Sequence, residues 1–342
     1  MSADLSSDAT NTAAGRTGGL SPDSLGPTIT IGEILVEIMA TGRGNGFLKP
    51  IALTGPYASG APAIFIDQCA RAGGAAGIVA CVGDDDFGRM NIERLAGDGV
   101  DVSAIAIDAE YPTGSAFVRY REDGSRDFVF NIGKSAAARL SLTSQARALI
   151  ARAGHIHVMG TAFASPVVAD MLEEALGIIR ARGGSVSVDP NMRKELLQHG
   201  QTAERFARAI AAADLLLPSG NELFVAAGME PGDEQAAVAA LFTGGASEIA
   251  MKRGEDGASV FCADGSRFDV AAFVVDEVDP TGAGDCFGGA YVACRRLGML
   301  PGQALDYANA AGARNVTVKG PMEGAGTISD LNAFIAATRR RA

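Results

Sequence analysis

From Thr28 onward the chain alternates short apolar runs with amphipathic stretches: TITIGEILVEI, PAIFIDQCARAG, AGIVACVG, then FGRMNIERLAGDG. Apolar runs of strand length separated by helical periodicity predict strand, helix, strand units, which imply right-handed crossovers and a largely parallel sheet. Between Tyr111 and Ile132 the rhythm changes. TGSAFVRY and RDFVFNI read as strands joined by REDGS, where Asp123-Gly124 predicts a hairpin turn. This helix-free excursion, together with residues 37–54, predicts a small β-lid beside the main sheet. The α/β alternation then resumes through GHIHVMG, the helix around VVADMLEEALGIIRARGG, the strand SVSVDP, the helix around AERFARAIAAA and the strand DLLLP. Asp189-Pro190 and Leu217-Pro218 fall at expected strand ends, the side of an open α/β sheet where ligands bind. Past Glu248 the pattern predicts strands EIAMKRG and GASVFCA, then helices over about 284–297 and 301–317. Residues 1–27 are rich in Ser, Thr, Ala and Gly without an apolar stretch, so they predict a disordered tail ahead of one domain spanning 28–342.

Composition narrows the function. With 342 residues, 47% hydrophobic and 20% charged, the chain fits one large α/β domain, and no apolar run reaches the ~20 residues of a membrane helix. Lys plus Arg total 29 against 40 Asp plus Glu, a net charge of -11, which argues against wholesale binding to nucleic acid or an anionic membrane. An anionic ligand must therefore be held by local backbone amides. The 3 histidines, His155, His157 and His199, leave few candidates for a multi-histidine metal site or a Ser-His-Asp triad, and each reads as structural. The 5 cysteines include no Cys-x-x-Cys pair and lie in apolar or small-residue stretches, as reduced core thiols of a cytoplasmic protein do. Cys286 reads as a packing residue near a helix start, with a reactive thiol the alternative.

The most informative segment is Val278-Asp279-Pro280-Thr281-Gly282-Ala283-Gly284-Asp285-Cys286-Phe287-Gly288-Gly289-Ala290. Gly282, Ala283 and Gly284 leave backbone amides open just before a helix, which makes an anion cradle. Asp285 falls in the first helical turn, beside that anion. A carboxylate there costs repulsion, so it suits a group that accepts a proton from an attacking hydroxyl, with helix capping as the plainer alternative.

That segment resembles the signature D-T-T-G-A-G-D-x-F of the PfkB, ribokinase-like carbohydrate kinases, with Pro280 at the second position. The resemblance covers roughly residues 28 to 340. It implies an α/β three-layer sandwich around a mostly parallel sheet with a small β-lid. It also implies Asp285 as catalytic base and the Gly282, Ala283, Gly284 and Asp285 amides as the hole for the transferring phosphoryl group. Asp279 and the Thr281 carbonyl match positions that hold a monovalent cation, K+, in many members, with a turn cap the alternative for Asp279. On the ATP side the resemblance assigns Lys252, Gly254 and Gly257 of KRGEDG, and Asn309 of YANAAG, with an ordinary solvated lysine the alternative for Lys252. The family's N-x-x-E motif, which orders Mg2+ and its waters, maps to Ser219 and Glu222; Ser219 departs from it, and capping of the next helix is its alternative role.

On the sugar side Glu37 matches an Asp that bonds sugar hydroxyls. Ser59, Gly60 and Ala61 match the G-G-x-x-x-N loop, in which Ile64 replaces the asparagine, so one polar sugar contact is missing. Phe117 and Arg119 alternate on the lid strands, so they are expected to close over substrate, with a core or interface role the alternative. Asn191 and Arg193 belong to a segment that resembles the D-x-N-x-R of fructokinase and 2-keto-3-deoxygluconate kinase relatives, which implies that they face the sugar or the transferring phosphate. The leading reading is an ATP-dependent kinase acting on a primary hydroxyl of a ketohexose, fructose or tagatose, or of 2-keto-3-deoxygluconate. It is expected to work as a homodimer through the lid. An adenosine or nucleoside kinase and a catalytically weak sugar sensor are the alternatives on the same fold. A dinucleotide-dependent oxidoreductase is disfavoured because Gly32-Glu33-Ile34-Leu35 stands where G-x-G-x-x-G would follow the first strand.

Overall fold

Strand β1 (Thr28–Ile31) leads into β2 (Leu35–Arg43) and β3 (Leu53–Ser59) before helix α1 (Ala61–Arg71) returns to β4 (Ala76–Gly83). Helix α2 (Asp86–Gly97) and the short strands β5 (Val100–Asp101) and β6 (Ile105–Asp108) precede β7 (Gly114–Tyr120) and β8 (Arg126–Asn131). Then come α3 (Ser144–Arg152), β9 (His155–Met159), α4 (Pro166–Ala181), β10 (Ser185–Asp189), α5 (Gly200–Ala212) and β11 (Leu215–Leu216). Helices α6 (Glu222–Ala227) and α7 (Glu234–Thr243) are followed by β12 (Glu248–Lys252), β13 (Ala258–Cys262) and β14 (Arg267–Val270). Helices α8 (Ala283–Arg296), α9 (Pro301–Asn315) and α10 (Ile328–Ala337) come next. These elements belong to a computed structural model that describes residues 19–44, 46–122, 126–191 and 200–341. Among them, no helix is long and apolar enough to cross a membrane.

The main sheet runs β14-β13-β12-β11-β10-β9-β1-β4-β5, with β6 also paired to β4. Pairings from β12 to β5 are parallel, and β13 and β14 add an antiparallel edge. Every residue of β1, β4, β9 and β10 is buried, as strands covered by helices on both faces must be. One apolar layer packs Leu149, Leu172 and Phe206 from α3, α4 and α5 on the sheet. The other packs Phe65, Tyr291, Ala308 and Leu331 from α1, α8, α9 and α10. All five cysteines are free and buried, and burial pushes the Cys286 thiol well up, so it packs rather than reacts.

A four-stranded sheet in the order β3-β2-β7-β8 stands apart from the main one. Its register pairs Glu37 with Ala116, Met39 with Val118 and Tyr120 with Arg126. Paired residues share a face, so Glu37, Tyr57, Val118, Tyr120 and Arg126 point one way and Ile38, Phe117, Arg119, Asp127 and Val129 the other. The turn expected at Asp123-Gly124 lies outside the described residues.

The tail boundary expected at residue 27 falls too late. Ser21 is buried, its amide donating to Ser185 Oγ at 2.9 Å and its hydroxyl to the Gly154 carbonyl at 2.6 Å. Arg296, itself buried at the end of α8, donates to the Ser21, Pro22 and Gly26 carbonyls and to Thr28 Oγ1. A guanidinium with so many fixed acceptors orders the segment that supplies them. Residues 1–18 lie outside the description.

Candidate active site

The Asp279–Asp285 turn is built around one left-handed residue. Gly282 has φ +78°, and a Cβ there would lie 2.4 Å from the Pro321 carbonyl oxygen, so only glycine fits. Ala283, Gly284 and Asp285 then form the first turn of α8, whose leading amides lack intrahelical partners. The loop is pinned from below by Asp279. Its Oδ1 accepts from Thr281 N (3.1 Å) and Thr281 Oγ1 (2.8 Å), its Oδ2 from Gly320 N (3.1 Å), while Asn315 Nδ2 donates to the Thr281 carbonyl at 2.8 Å.

Asp285 faces a cluster gathered from the carboxyl ends of the parallel strands. Asp189 ends β10, Lys252 ends β12 and Glu222 opens α6. Lys252 Nζ donates to Asp189 Oδ2 at 2.5 Å, and a side-chain carbon at Gly284 would stand 3.5 Å from that nitrogen. Lys252 is thus a buried, paired cation against the glycine turn rather than a solvated one. Burial opposes its charge, but Asp189, Glu222 and Asp285 outweigh it and lift its pKa above the ordinary value. Burial pushes the Asp285 carboxyl well above the usual range; Asp189, Glu33 and Glu37 add repulsion that Lys252 offsets only in part. Glu222 is raised by burial and by Asp189, and its Oε2 accepts from Ser219 N at 2.7 Å. Ser219 does not cap α6, whose cap position is Asn221.

A cavity of about 450 Å³ opens beside this cluster. Ser219, Lys252, Gly254, Gly257, Gly284 and Asn309 all line it, so the residues assigned to the ATP side share one wall system, completed by apolar Phe273, Phe287 and Val316. Gly254 and Gly257 take φ of +56° and +97°, and a side chain at Gly257 would strike the Val270 carbonyl. Asn309 spends its Nδ2 on the Ala271 carbonyl at 3.0 Å, which anchors the loop after β14 at the cavity rim.

On the opposite side, Glu37 is buried, with Oε1 accepting from Ser59 Oγ at 2.7 Å and Oε2 without a protein partner. Burial raises its pKa to about 7; the Ser59 bond and Arg126 hold it down, while Asp279 pushes it up. Gly60 precedes α1 at φ +112°, where a Cβ would meet the Glu33 carbonyl at 2.4 Å, and Ala61 opens the helix. Ile64 lies under the glycine turn, 3.1 Å from where a Gly282 Cβ would be, and packs where the family's asparagine offers a polar group.

The lid assignments need correction. Phe117 and Arg119 lie on the face of the small sheet turned away from Glu37: Phe117 meets Phe47 edge-on, and Arg119 pairs with Asp127 at 2.6 Å. The parity of β7 against β2 puts Val118 and Tyr120 on the inner face instead. Asn191 follows β10 at φ +26°, its amide donating to Asp189 Oδ1 at 3.2 Å. Arg193 lies outside the described residues. Several residues that meet here drew no role from the sequence: Asp189, Glu33, Asn315 and Arg126. Asp189 carried a signal in its place at a strand end, and Glu33 in following Gly32 at the end of β1; Arg126 and Asn315 carried none.

Backbone amides at a helix start, a buried carboxylate beside them and a lysine against the same turn define a phosphate-handling α/β enzyme. Residues 56–327 match the pfkB family carbohydrate kinase model, and the chain belongs to that family. It is a carbohydrate kinase on the ribokinase-like fold. It is 31% identical over 303 residues to Fructokinase-1 of Oryza sativa subsp. japonica, covering 85% of this chain and 92% of that one. It is 32% identical to the 2-dehydro-3-deoxygluconokinase of Thermoproteus tenax, covering 86% and 90%. Among solved structures, an E. coli protein provisionally named ribokinase II, in complex with ATP and Mg+2, shares 44% identity at a TM-score of 0.85, covering 91% of this chain and 99% of that one.

Proposed function

We propose that the protein transfers the γ-phosphoryl group of ATP to a primary hydroxyl of a six-carbon ketose or a 2-keto-3-deoxy sugar acid. One observation carries this reading: Asp285 directly follows Gly284 of the cavity wall and lies within electrostatic reach of both Lys252, which lines that cavity, and Glu37, whose Oε2 is unpaired. On this reading, ATP lies along the cavity with its terminal phosphate toward the Gly282–Asp285 amides, and the sugar lies under the small sheet. Asp285 accepts the hydroxyl proton as the oxygen attacks in line, and the turn amides with Lys252 stabilise the charge on the transferring group. Its raised pKa makes the ionised carboxylate a stronger proton acceptor than an ordinary aspartate. Glu37 Oε2 is free to hold a sugar hydroxyl.

Among the described residues no three acidic, histidine or cysteine side chains converge to hold a metal directly, so Glu222 would meet a divalent cation through its waters and the phosphates of ATP. Mg2+ holds few protein ligands and keeps its waters, consistent with Ser219 and Glu222 meeting it through water. When bound, it neutralises the phosphate oxygens. The fructokinase and 2-dehydro-3-deoxygluconokinase relatives support the substrate class. The exposed Val129, Phe130 and Leu53 of the small sheet, with Ile51 just ahead of β3, support assembly of two copies through it, and the free buried thiols fit a reducing, cytoplasmic setting. The test is ATP consumption across ketoses, aldoses, sugar acids and nucleosides. Highest kcat/KM for fructose, tagatose or 2-keto-3-deoxygluconate is expected; a preference for adenosine or ribose, or no turnover at all, would overturn the reading.

A further inference from the structure

Asp279 is completely buried, and a carboxylate in that position requires a counter-charge or it destabilises the loop it holds. The family resemblance assigns that task to a monovalent cation. The donors around Asp279 do not fit one in this chain. Both carboxylate oxygens accept protein N–H or O–H groups from Thr281 and Gly320, and the Thr281 carbonyl accepts from Asn315. A cation on these oxygens would face the hydrogens already aimed at them.

A different positive charge is at hand. Arg126, at the start of β8, reaches out of the small sheet, donates to Thr281 Oγ1 and places its Nη1 3.9 Å from Asp279 Oδ1. Among the described residues it is the cationic side chain within ion-pair range of Asp279. Its inner-face neighbours, Val118 and Tyr120, are on the same side as Glu37, so the guanidinium stands between the sugar side and the anion-hole loop.

We propose that Arg126 is a positioning residue that takes the place of the monovalent cation, neutralising Asp279 and fixing the Thr281 turn that leads into the Gly282–Asp285 amides, which receive the phosphoryl group. Because Arg126 belongs to the small sheet, the charge is in place only when that sheet lies against the main domain. The anion hole is therefore completed from the sugar side. The inference rests on the kinase reading, so its test includes a measurement that needs no turnover.

The full-length protein and Arg126→Gln are compared in potassium chloride and in tetramethylammonium chloride at equal ionic strength, with the best acceptor from the sugar panel. Wild-type kcat is expected to change by less than about threefold between the two salts. In tetramethylammonium, Arg126→Gln should lose about tenfold or more in kcat, of which potassium restores at least half. The unfolding temperature without ligands should follow the same pattern: insensitive to potassium in wild type, raised by it in Arg126→Gln. If Arg126→Gln does not fold, Arg126→Lys keeps the charge and should be active and potassium-independent. Strong potassium activation of the wild type or of Arg126→Lys overturns the proposal. So does an Arg126→Gln variant that keeps its kcat, or one whose loss potassium leaves untouched. An enzyme without turnover on any acceptor refutes the kinase reading, and the thermal measurement then decides the fate of Arg126 alone.

Discussion

Asp285 shows how one side chain takes its chemistry from its surroundings. In the first turn of α8 a carboxylate is favoured by the helix dipole, yet burial and three neighbouring acids raise its pKa. Asp285→Asn keeps the size and the helix-start bonding but cannot take the proton, so kcat should fall by about 10²–10⁴ with ATP and sugar affinities largely kept. A folded Asn variant with near-wild-type kcat would reduce Asp285 to a cap. The acid limb of the kcat profile should lie above the ordinary carboxylate range, because turnover is lost as pH falls through the raised pKa. A limb near the ordinary aspartate value of 3.8 would contradict that. Glu37 gives a stability counterpart. Its folded pKa of about 7 exceeds the ordinary glutamate value of 4.5, so the folded state holds the proton more tightly and stability declines as pH rises from 4.5 to 7. Glu37→Gln removes that loss. Above pH 7 it should unfold later than wild type by about 1–3 kcal/mol, with the gain vanishing near pH 4 and with sugar KM raised; urea titrations at both ends of the range provide the check.

At the scale of elements, two devices hold the sheet to what surrounds it. Arg296 fastens residues 21–28 to α8 through the Ser21, Pro22 and Gly26 carbonyls and Thr28 Oγ1, with Asp23 at 3.3 Å. Arg296→Met would leave those acceptors without a donor in a buried setting, and should cost about 2–4 kcal/mol in urea unfolding with kcat unchanged, since α8 presents Asp285 at its other end. Between β9 and β10, His155 bonds Ser185 and Ser187, and His157 bonds Ser187 and stacks on Phe65 at 3.6 Å. Burial, with nearby cations, holds both pKa values well below 6.5, so both rings stay neutral when folded. The unfolded chain gains protons on them as pH falls below 6.5, and folding free energy should drop by up to about 1.4 kcal/mol per pH unit for each ring. His157→Gln should show a shallower slope between pH 6.5 and 5 than wild type; equal slopes would mean that other groups carry the acid sensitivity.

For the whole molecule, the proposed assembly turns on the small sheet. Its inner face is committed to Glu37 and Arg126, while its apolar residues Val129 and Phe130, 52% and 47% exposed, lie on edge strand β8. Edge strands with unpaired backbone and apolar side chains seek partners. Sedimentation at micromolar concentration should report a dimer, and Val129→Lys with Phe130→Lys should shift it to monomer and lower kcat. A wild-type monomer with full activity would remove the small sheet from any role in assembly.

The glycine turn and the carboxylate after it were legible because a run of open amides ahead of a helix is local: Gly282, Ala283, Gly284 and Asp285 are neighbours in the chain before they are neighbours in space. The alternation of strands and helices was legible for the same reason, since periodicity is a property of adjacent residues. Alternation along β7 also put Phe117 and Arg119 on one face, but it could not say which face turns inward; the parallel pairing of β7 with β2 decided that, and it turned them outward. The strand order β10-β11-β12 brought Asp189 to Lys252 across 63 residues, and the docking of β8 brought Arg126 to Thr281 across 155. Contacts that close such distances depend on how whole elements pack, and no short stretch of chain carries that information.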